Sequence, residues 1–163
     1  MFIDLEPIFN SNDGRAEINY TLHIDDAFSP DEEKCFSPVS VQGSVYNKTG
    51  VVSLDARAEL DYTAPCDRCA ASATKHFVFP IKHFLIDKLN DEDNDLYIQV
   101  ENYRLDLDEL VREDILLALP LSFLCKEDCK GLCIMCGCNQ NTEPCSCKKP
   151  IDPRWAALSE LSD

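Results

Sequence analysis

The chemistry open to this chain lies in its thiols. Ten cysteines occur in 163 residues, and seven of them fall between Cys125 and Cys147, at positions 125, 129, 133, 136, 138, 145 and 147. Two more form Cys66-Asp67-Arg68-Cys69, and Cys35 stands by itself. Apart from its cysteines, the 125–147 stretch offers only Leu132, Ile134 and Met135 for burial. So little apolar surface cannot offset the entropy of ordering a chain, roughly 1–2 kcal/mol per residue. A coordinate or covalent link must therefore fix the segment, or it stays disordered.

Zinc prefers four ligands in a tetrahedron and takes thiolates readily. Two thiolates converge on one ion when a local turn brings them together. Cys66-x-x-Cys69 is one such turn, and Cys133-x-x-Cys136 is another, with Gly137 behind it to permit a left-handed backbone. Cys145-x-Cys147 gives a third pair, and Cys125 and Cys129 are spaced to share one face of a helical turn. These spacings predict a local site of Cys133, Cys136, Cys145 and Cys147. Cys66 and Cys69 then need two more ligands, for which Cys125 and Cys129 are available. Two ions follow if both groups close, and one if only the local group does. Cys35 and Cys138 are left over, and Cys138 could replace a neighbour in the local site.

Other thiol chemistries compete. Four thiolates also suit an iron–sulfur cluster. Disulfides belong to oxidising compartments. A redox Cys-x-x-Cys belongs where a helix N-terminus lowers a thiol pKa, whereas here strand patterns flank the motif. The Pro-Cys-x-x-Cys of zinc deaminases needs an upstream His-x-Glu, and His23-Ile24-Asp25 carries the wrong acid. All-cysteine zinc sites are normally closed and structural. His76 and His83 flank an apolar run and read as surface or partly buried side chains. No phosphate-cradling glycine loop and no nucleophile elbow occurs. The expectation is a non-enzymatic protein with no catalytic residue and no cofactor site beyond the metal ligands.

Charge points the same way. Thirty acids against 15 bases give a net charge of −15, which opposes broad binding to phosphate backbones. A basic protein partner, or simple solubility, fits better. The first residues, Met1-Phe2-Ile3-Asp4-Leu5-Glu6, lack a basic region followed by an apolar run, and no stretch reaches the roughly 20 apolar residues of a membrane span. A cytoplasmic protein is expected, and there dense cysteine signals metal more often than disulfide.

The elements that must hold the thiols are mostly strands. Ile18 to Ile24 alternates polar and apolar residues, as does Val39 to Val45. Asn47-Lys48-Thr49-Gly50 then predicts a hairpin turn. From Val52 to Tyr62 the alternation is clearest, with Val52, Leu54, Ala56, Ala58, Leu60 and Tyr62 on one face and acids and Arg57 on the other. Thr74 to Ile81 is β-branched and aromatic, so Cys66-x-x-Cys69 falls at a hairpin tip, and Pro80 predicts an edge or bulge. Asp87 to Asp95 reads as an acidic loop and Tyr97 to Val100 as a short strand. Asp106 caps a helix over about 106–119, whose apolar stripe is Leu107, Leu110, Val111, Ile115, Ala118 and Leu119 and which Pro120 ends. Asp152-Pro153 opens a short amphipathic tail helix carrying Trp155, Leu158 and Leu161. The expected fold is α+β, an antiparallel sheet or small open barrel with one packed helix. The β body would span 1–124, and a cysteine-rich zinc knuckle with a short helix would span 125–163.

Pro-Cys-Asp-Arg-Cys at 65–69, Leu-Asp-Leu-Asp-Glu-Leu-Val-Arg-Glu-Asp-Ile-Leu-Leu-Ala-Leu-Pro at 105–120 and Leu-Cys-Lys-Glu-Asp-Cys-Lys-Gly-Leu-Cys-x-x-Cys-Gly at 124–137 resemble the YceD-like family of large ribosomal RNA subunit accumulation proteins. The closing Asn-Gln-Asn-Thr-Glu-Pro-Cys-Ser-Cys and Ile-Asp-Pro-Arg-Trp fit as well. The sequence departs from the common pattern at Cys138, where a small or polar residue is usual, and at Ile134-Met135, where proline is frequent. The resemblance implies a role in accumulation of 23S ribosomal RNA and in large-subunit biogenesis. With so acidic a chain, the expected partner is a basic ribosomal protein or a ribosomal precursor particle, engaged through the 87–95 loop. The alternatives are direct RNA contact through Arg68, Lys126, Lys130, Lys148 and Lys149, and a thiol redox or metal-handling role.

Overall fold

The computed structural model describes residues 1–24, 35–87 and 97–147. These contain eight strands, β1 (Phe2–Asp4), β2 (Arg15–Leu22), β3 (Cys35–Phe36), β4 (Val39–Lys48), β5 (Val51–Pro65), β6 (Ser72–Ile86), β7 (Tyr97–Gln99) and β8 (Arg104–Asp106), two α-helices, α1 (Glu6–Phe9) and α2 (Leu107–Ala118), and a 3-10 turn at Glu101–Tyr103. The described residues fall into two compact units. One comprises residues within 1–64 and 74–121, and the other is Pro65–Ala73 with the residues from Ser122 onward.

The first unit is built on β4 and β5. Their antiparallel register runs from Ser40↔Glu59 to Lys48↔Val51. The turn between them has Thr49 at φ 54° and Gly50 at φ 89°, the double left-handed geometry that suits the twist of a two-residue hairpin. β2 pairs antiparallel with the far side of β4, from Arg15↔Tyr46 to Leu22↔Val39. Beyond the end of β4, β3 continues along the same side of β5, at Thr63 and Tyr62. Ser37 bridges the gap beside Pro38, donating its N–H to Asp61 O at 2.9 Å while its Oγ accepts from Asp61 N at 2.8 Å.

The strand order is β2-β4-β5-β6-β7, and β7 runs parallel to β6, from Phe84↔Tyr97 to Ile86↔Gln99. The sheet is therefore mixed where an antiparallel sheet or small open barrel was expected, and it is open between edges at β2 and β7. Alternation reveals which face of a strand is buried but not which way the strand runs. The β6–β7 ladder begins at Phe84, so Pro80 occupies a part of β6 that β7 does not reach; a residue without an N–H belongs in such a place. A second, two-stranded sheet pairs β1 with β8, Phe2↔Asp106 to Asp4↔Arg104.

α2 begins where Asp106 accepts a hydrogen bond from Asp108 N at 3.1 Å, and it stops one residue before Leu119, itself followed by Pro120. Leu107, Leu110, Val111 and Ile115 are buried and join Val41, Val45, Leu54, Ala58, Leu60, Ile81 and Leu85 of the sheet in one apolar cluster, together with Leu5 and Ile8. Each such side chain contributes about 1.5–3 kcal/mol on burial. The unit thus has a core that needs no metal.

Asn47 is the main polar group inside this core, at 4% exposure. Its Nδ2 donates to Ile8 O and its Oδ1 accepts from Gly50 N, both at 3.0 Å, so one side chain fixes α1 and the hairpin turn together. Asn47→Ala removes both bonds, leaving the Gly50 N–H without its side-chain acceptor and Ile8 O with only the 3.4 Å bond from Ser11 N. A loss of about 2 kcal/mol is expected, read from urea unfolding. Of the acidic run 87–95, only Asp87 lies among the described residues, and the tail helix expected from Asp152 onward lies outside them.

Candidate metal centre

All eight predicted ligands lie in the second unit, and the structure gathers them into two groups. Cys66, Cys69, Cys125 and Cys129 form one, and Cys133, Cys136, Cys145 and Cys147 form the other; within each group all sulfurs lie within 4.8 Å of one another. In the first, Cys66 Sγ is 3.8 Å from Cys129 Sγ and Cys69 Sγ is 3.6 Å from Cys125 Sγ. In the second, Cys145 Sγ is 3.3 Å from Cys133 Sγ and 3.6 Å from Cys136 Sγ. Four sulfurs at tetrahedral corners, each about 2.3 Å from an ion, stand about 3.8 Å apart. A disulfide needs about 2.0 Å, and all ten cysteines are free thiols. The donor set and spacing suit a tetrahedral thiophilic cation in both groups.

The same local device builds a corner of each group. Ala70 N donates to Cys66 O at 2.8 Å, and Gly137 N donates to Cys133 O at 2.8 Å. In both turns the residue after the second cysteine is left-handed, Ala70 at φ 55° and Gly137 at φ 74°. Glycine meets that requirement freely, whereas alanine is strained there by roughly 1–2 kcal/mol. Ala70→Gly is expected to raise the stability of the second unit by about 1 kcal/mol, measured as a shift in its thermal unfolding.

Residues 131–140 form a small hairpin carrying the second turn at its tip. Leu132 pairs with Asn139, Cys133 N donates to Cys138 O at 2.8 Å, and Gln140 N donates to Gly131 O at 3.0 Å. The first turn is tied to the C-terminal segment by two backbone bonds and one to the Asp67 carboxylate. Asp67 N donates to Phe123 O at 2.8 Å, Phe123 N donates to Asp67 Oδ2 at 2.6 Å, and Leu132 N donates to Arg68 O at 2.9 Å. Gly131 has φ 76°, and a side chain there would bring a Cβ to 3.0 Å from Arg68 O. These bonds bring Cys66 and Cys69 against residues some sixty positions later.

Polar hydrogens point at the sulfurs. Met135 N lies 3.4 Å from Cys133 Sγ, Cys147 N lies 3.4 Å from Cys145 Sγ, and Asn141 Nδ2 lies 3.3 Å from Cys129 Sγ. Asn141 Oδ1 also accepts from Lys130 N at 2.9 Å, so this side chain links the loop of the second group to a ligand of the first. Neither Asn141 nor Asp67 stood out in the sequence. Their only signal was an Asn in a turn-rich loop and an Asp between two cysteines.

The thiols divide in acidity. N–H groups of Cys125 and Arg68 hold Cys66 down to about 6, and those of Cys136 and Met135 hold Cys133 down to about 6. Burial and then the sulfurs of Cys129 and Cys69 push Cys125 up to about 12, and the sulfurs of Cys145 and Cys136 push Cys147 up to about 12. Crowded thiols alone cannot all ionise. A divalent cation among them supplies the missing charge and favours four thiolates.

The groups differ in exposure. Cys66, Cys69 and Cys129 are buried, whereas Cys136 and Cys147 are exposed. Cys138 Sγ lies 3.4 Å from Cys136 Sγ, and Cys35 sits exposed on β3, away from both groups in sequence and in unit. The histidines belong to the first unit, with His76 Nδ1 2.8 Å from Asp61 Oδ1 and His83 Nε2 2.7 Å from Asp114 Oδ2. Of the five bases considered for RNA contact, Arg68 donates to Cys129 O at 3.0 Å, Lys126 lies 3.9 Å from Asp128, Lys130 is exposed, and Lys148 and Lys149 lie outside the described residues. No helix among the described residues is long and apolar enough to cross a membrane.

The family model described as large ribosomal RNA subunit accumulation protein YceD matches residues 54–162. The uncharacterized protein YlbN of Bacillus subtilis is 33% identical over 129 residues, 77% of this chain and 74% of that protein. The uncharacterized protein Rv2926c of Mycobacterium tuberculosis is 34% identical over 96 residues, 58% of this chain, and the chain spans 44% of its length. A chloroplast protein of Zea mays named large ribosomal RNA subunit accumulation protein YCED homolog 1 is 37% identical over 59 residues, 36% of this chain and 20% of that protein. No solved structure matches. The matched region takes in both four-cysteine groups, the body of β5, and every later described element, and the chain belongs to the YceD family of large ribosomal RNA subunit accumulation proteins.

Proposed function

We propose that this protein is a non-enzymatic factor supporting the accumulation of large-subunit ribosomal RNA, with a zinc ion in each four-cysteine group. The observation that carries this reading is the pair of thiol groups at tetrahedral spacing inside the matched region. Four thiolates fill the coordination of zinc and leave no position for a reactive water, which favours a structural metal over a catalytic one. Iron–sulfur chemistry would use the same thiols, and elemental analysis with absorption spectroscopy separates the two metals.

The partner that fits is a basic ribosomal protein or a precursor particle presenting one. The net charge is −15, and Arg15, Arg57 and Lys82 on the sheet each lie within 4 Å of an acid, Glu17, Glu59 and Asp55. Such a surface offers little unneutralised positive charge to phosphate.

Depletion in the host cell is expected to lower the ratio of large- to small-subunit ribosomal RNA, and complementation by Cys129→Ser is expected to restore less than the wild-type chain. A ratio unchanged by depletion removes the functional reading. Protein purified without added metal is expected to carry two zinc ions; metal-free protein with all thiols open to alkylation removes the zinc reading. Metal retention is also expected to fall as the pH falls, most steeply below about pH 6, where protons compete for Cys66 and Cys133 as well as for Cys125 and Cys147, and a chelator competition at graded pH measures it.

A further inference from the structure

Beside the four thiols of the second cysteine group stands a fifth, Cys138, one more than a tetrahedral ion can use. Cys133, Cys136 and Cys145 form the base of the group, with Cys145 Sγ 3.3 Å and 3.6 Å from the other two. Two further sulfurs stand beside the Cys136–Cys145 edge. One is Cys147, which lies within 4.8 Å of all three. The other is Cys138, whose Sγ is 3.4 Å from Cys136 Sγ and which also interacts with Cys145. Both candidates for the fourth position thus border the same two ligands.

Their backbone settings differ in a way that allows exchange. Cys138 is fixed in the 131–140 hairpin, since its carbonyl accepts from Cys133 N at 2.8 Å. Cys147 is exposed and follows Cys145 by two residues, joined to it locally by an N–H to sulfur contact of 3.4 Å. The first group offers no such choice. Its sulfurs are mostly buried, and no fifth cysteine of the described residues lies with them.

We infer that Cys138 and Cys147 exchange as the fourth ligand of the second group, making that group a labile zinc site beside a closed one. This rests on the zinc reading above. In the exchange, the bond from zinc to the Cys147 sulfur breaks as a bond to the Cys138 sulfur forms. The Cys138 proton passes to Cys147, so the ion keeps four thiolates and the site keeps its charge. Because Cys147 is exposed, an ion held by this group would be open to solvent on that side during the exchange. A thiol-bearing acceptor or chelator can enter there, so zinc leaves this group through stepwise substitution.

The test combines zinc stoichiometry with mass-spectrometric mapping of alkylated cysteines in the full chain. Wild-type protein is expected to hold two zinc ions and to show alkylation shared between Cys138 and Cys147. Cys147→Ser is expected to keep two ions, with Cys138 now protected, and Cys138→Ser is expected to keep two ions, with Cys147 protected. The double variant and Cys133→Ser are each expected to fall to one. On challenge with a chromogenic chelator, one of the two wild-type ions is expected to leave at least tenfold faster than the other, and Cys138→Ser to slow that fast phase. Wild-type protein with Cys138 fully alkylated and Cys147 fully protected overturns the exchange, as does Cys147→Ser holding one ion with Cys138 open. Wild-type protein holding fewer than two ions overturns the zinc reading itself, and this inference with it.

Discussion

Removing the metal with a strong chelator is expected to abolish the order of the second unit while the sheet of the first unit stays folded. The apolar cluster of the second unit consists of Cys66, Cys69 and Cys129, with Leu124 and Cys125 packed against it. Without a cation those sulfurs are weakly hydrated groups with no strong mutual attraction, and Phe123 is the one large buried side chain among the unit's described residues. Apparent binding energies for structural zinc in small domains are on the order of 10 kcal/mol or more, and that energy is folding energy for the segment it holds. The first unit keeps its sheet because Leu54, Ile81, Leu85, Leu107 and Ile115 are each at most 2% exposed without help from any thiol. Limited proteolysis should show new cuts within 122–147 after chelation, with the far-ultraviolet β signal largely retained. Unchanged resistance of that segment in metal-free protein would show that its order does not depend on a metal.

Gly43→Ala is expected to destabilise the first unit by about 3 kcal/mol without changing metal content. Gly43 pairs with Ala56 in the middle of the β4–β5 ladder. A Cβ at this position would stand 2.4 Å from Ala56 Cα, 2.4 Å from Ala56 Cβ and 2.4 Å from Asp55 O. Two of those atoms are backbone, so no rotamer change relieves the clash and the strands themselves must separate. Urea unfolding of the variant beside wild type measures the loss. A loss under about 1 kcal/mol would mean that β4 and β5 part easily at this point. The substitution also separates the two units experimentally, since it loads the sheet and leaves the thiols alone.

What could be read in advance follows from range in sequence. The β5 alternation from Val52 to Leu60 and the α2 stripe are local periodic signals, and both elements form where expected. Asp106 caps through Asp108 N, a bond between residues two apart, and that too is visible in a linear pattern. β1, α1 and β8 are three or four residues long, too short to show a period, and each forms because a partner far along the chain receives it, as when Asp4 meets Arg104. The parallel sense of β7 is likewise a property of the pairing and leaves no trace in Tyr97-Ile98-Gln99. For the thiols, the 133–147 group was local. The 66–69 and 125–129 pairs were matched by elimination, since nothing in their own residues specifies the partner. Of the bonds that join them, Asp67 N to Phe123 O and Leu132 N to Arg68 O run through backbone atoms that every residue carries, and the Asp67 carboxylate adds one from Phe123 N whose partner lies 56 positions away. Asn141 escaped notice for a related reason, because its role depends on Cys129 being brought to it.

The hairpin tip at 65–73 groups with residues made much later in synthesis, and this sets an order of events on the ribosome. Cys66 precedes Cys129 by 63 positions. At elongation rates of roughly 5–20 residues per second, Cys66 and Cys69 wait on the order of 3–13 s for their partners. During that interval β2, β4 and β5 can already pair, whereas two thiols stand as half of the first cysteine group at the tip of a nascent hairpin. A chain that stops before residue 125 can fold much of its sheet yet never close the first group. An ion held by the first group would therefore be captured after the sheet begins to form, and only once translation has passed Cys129.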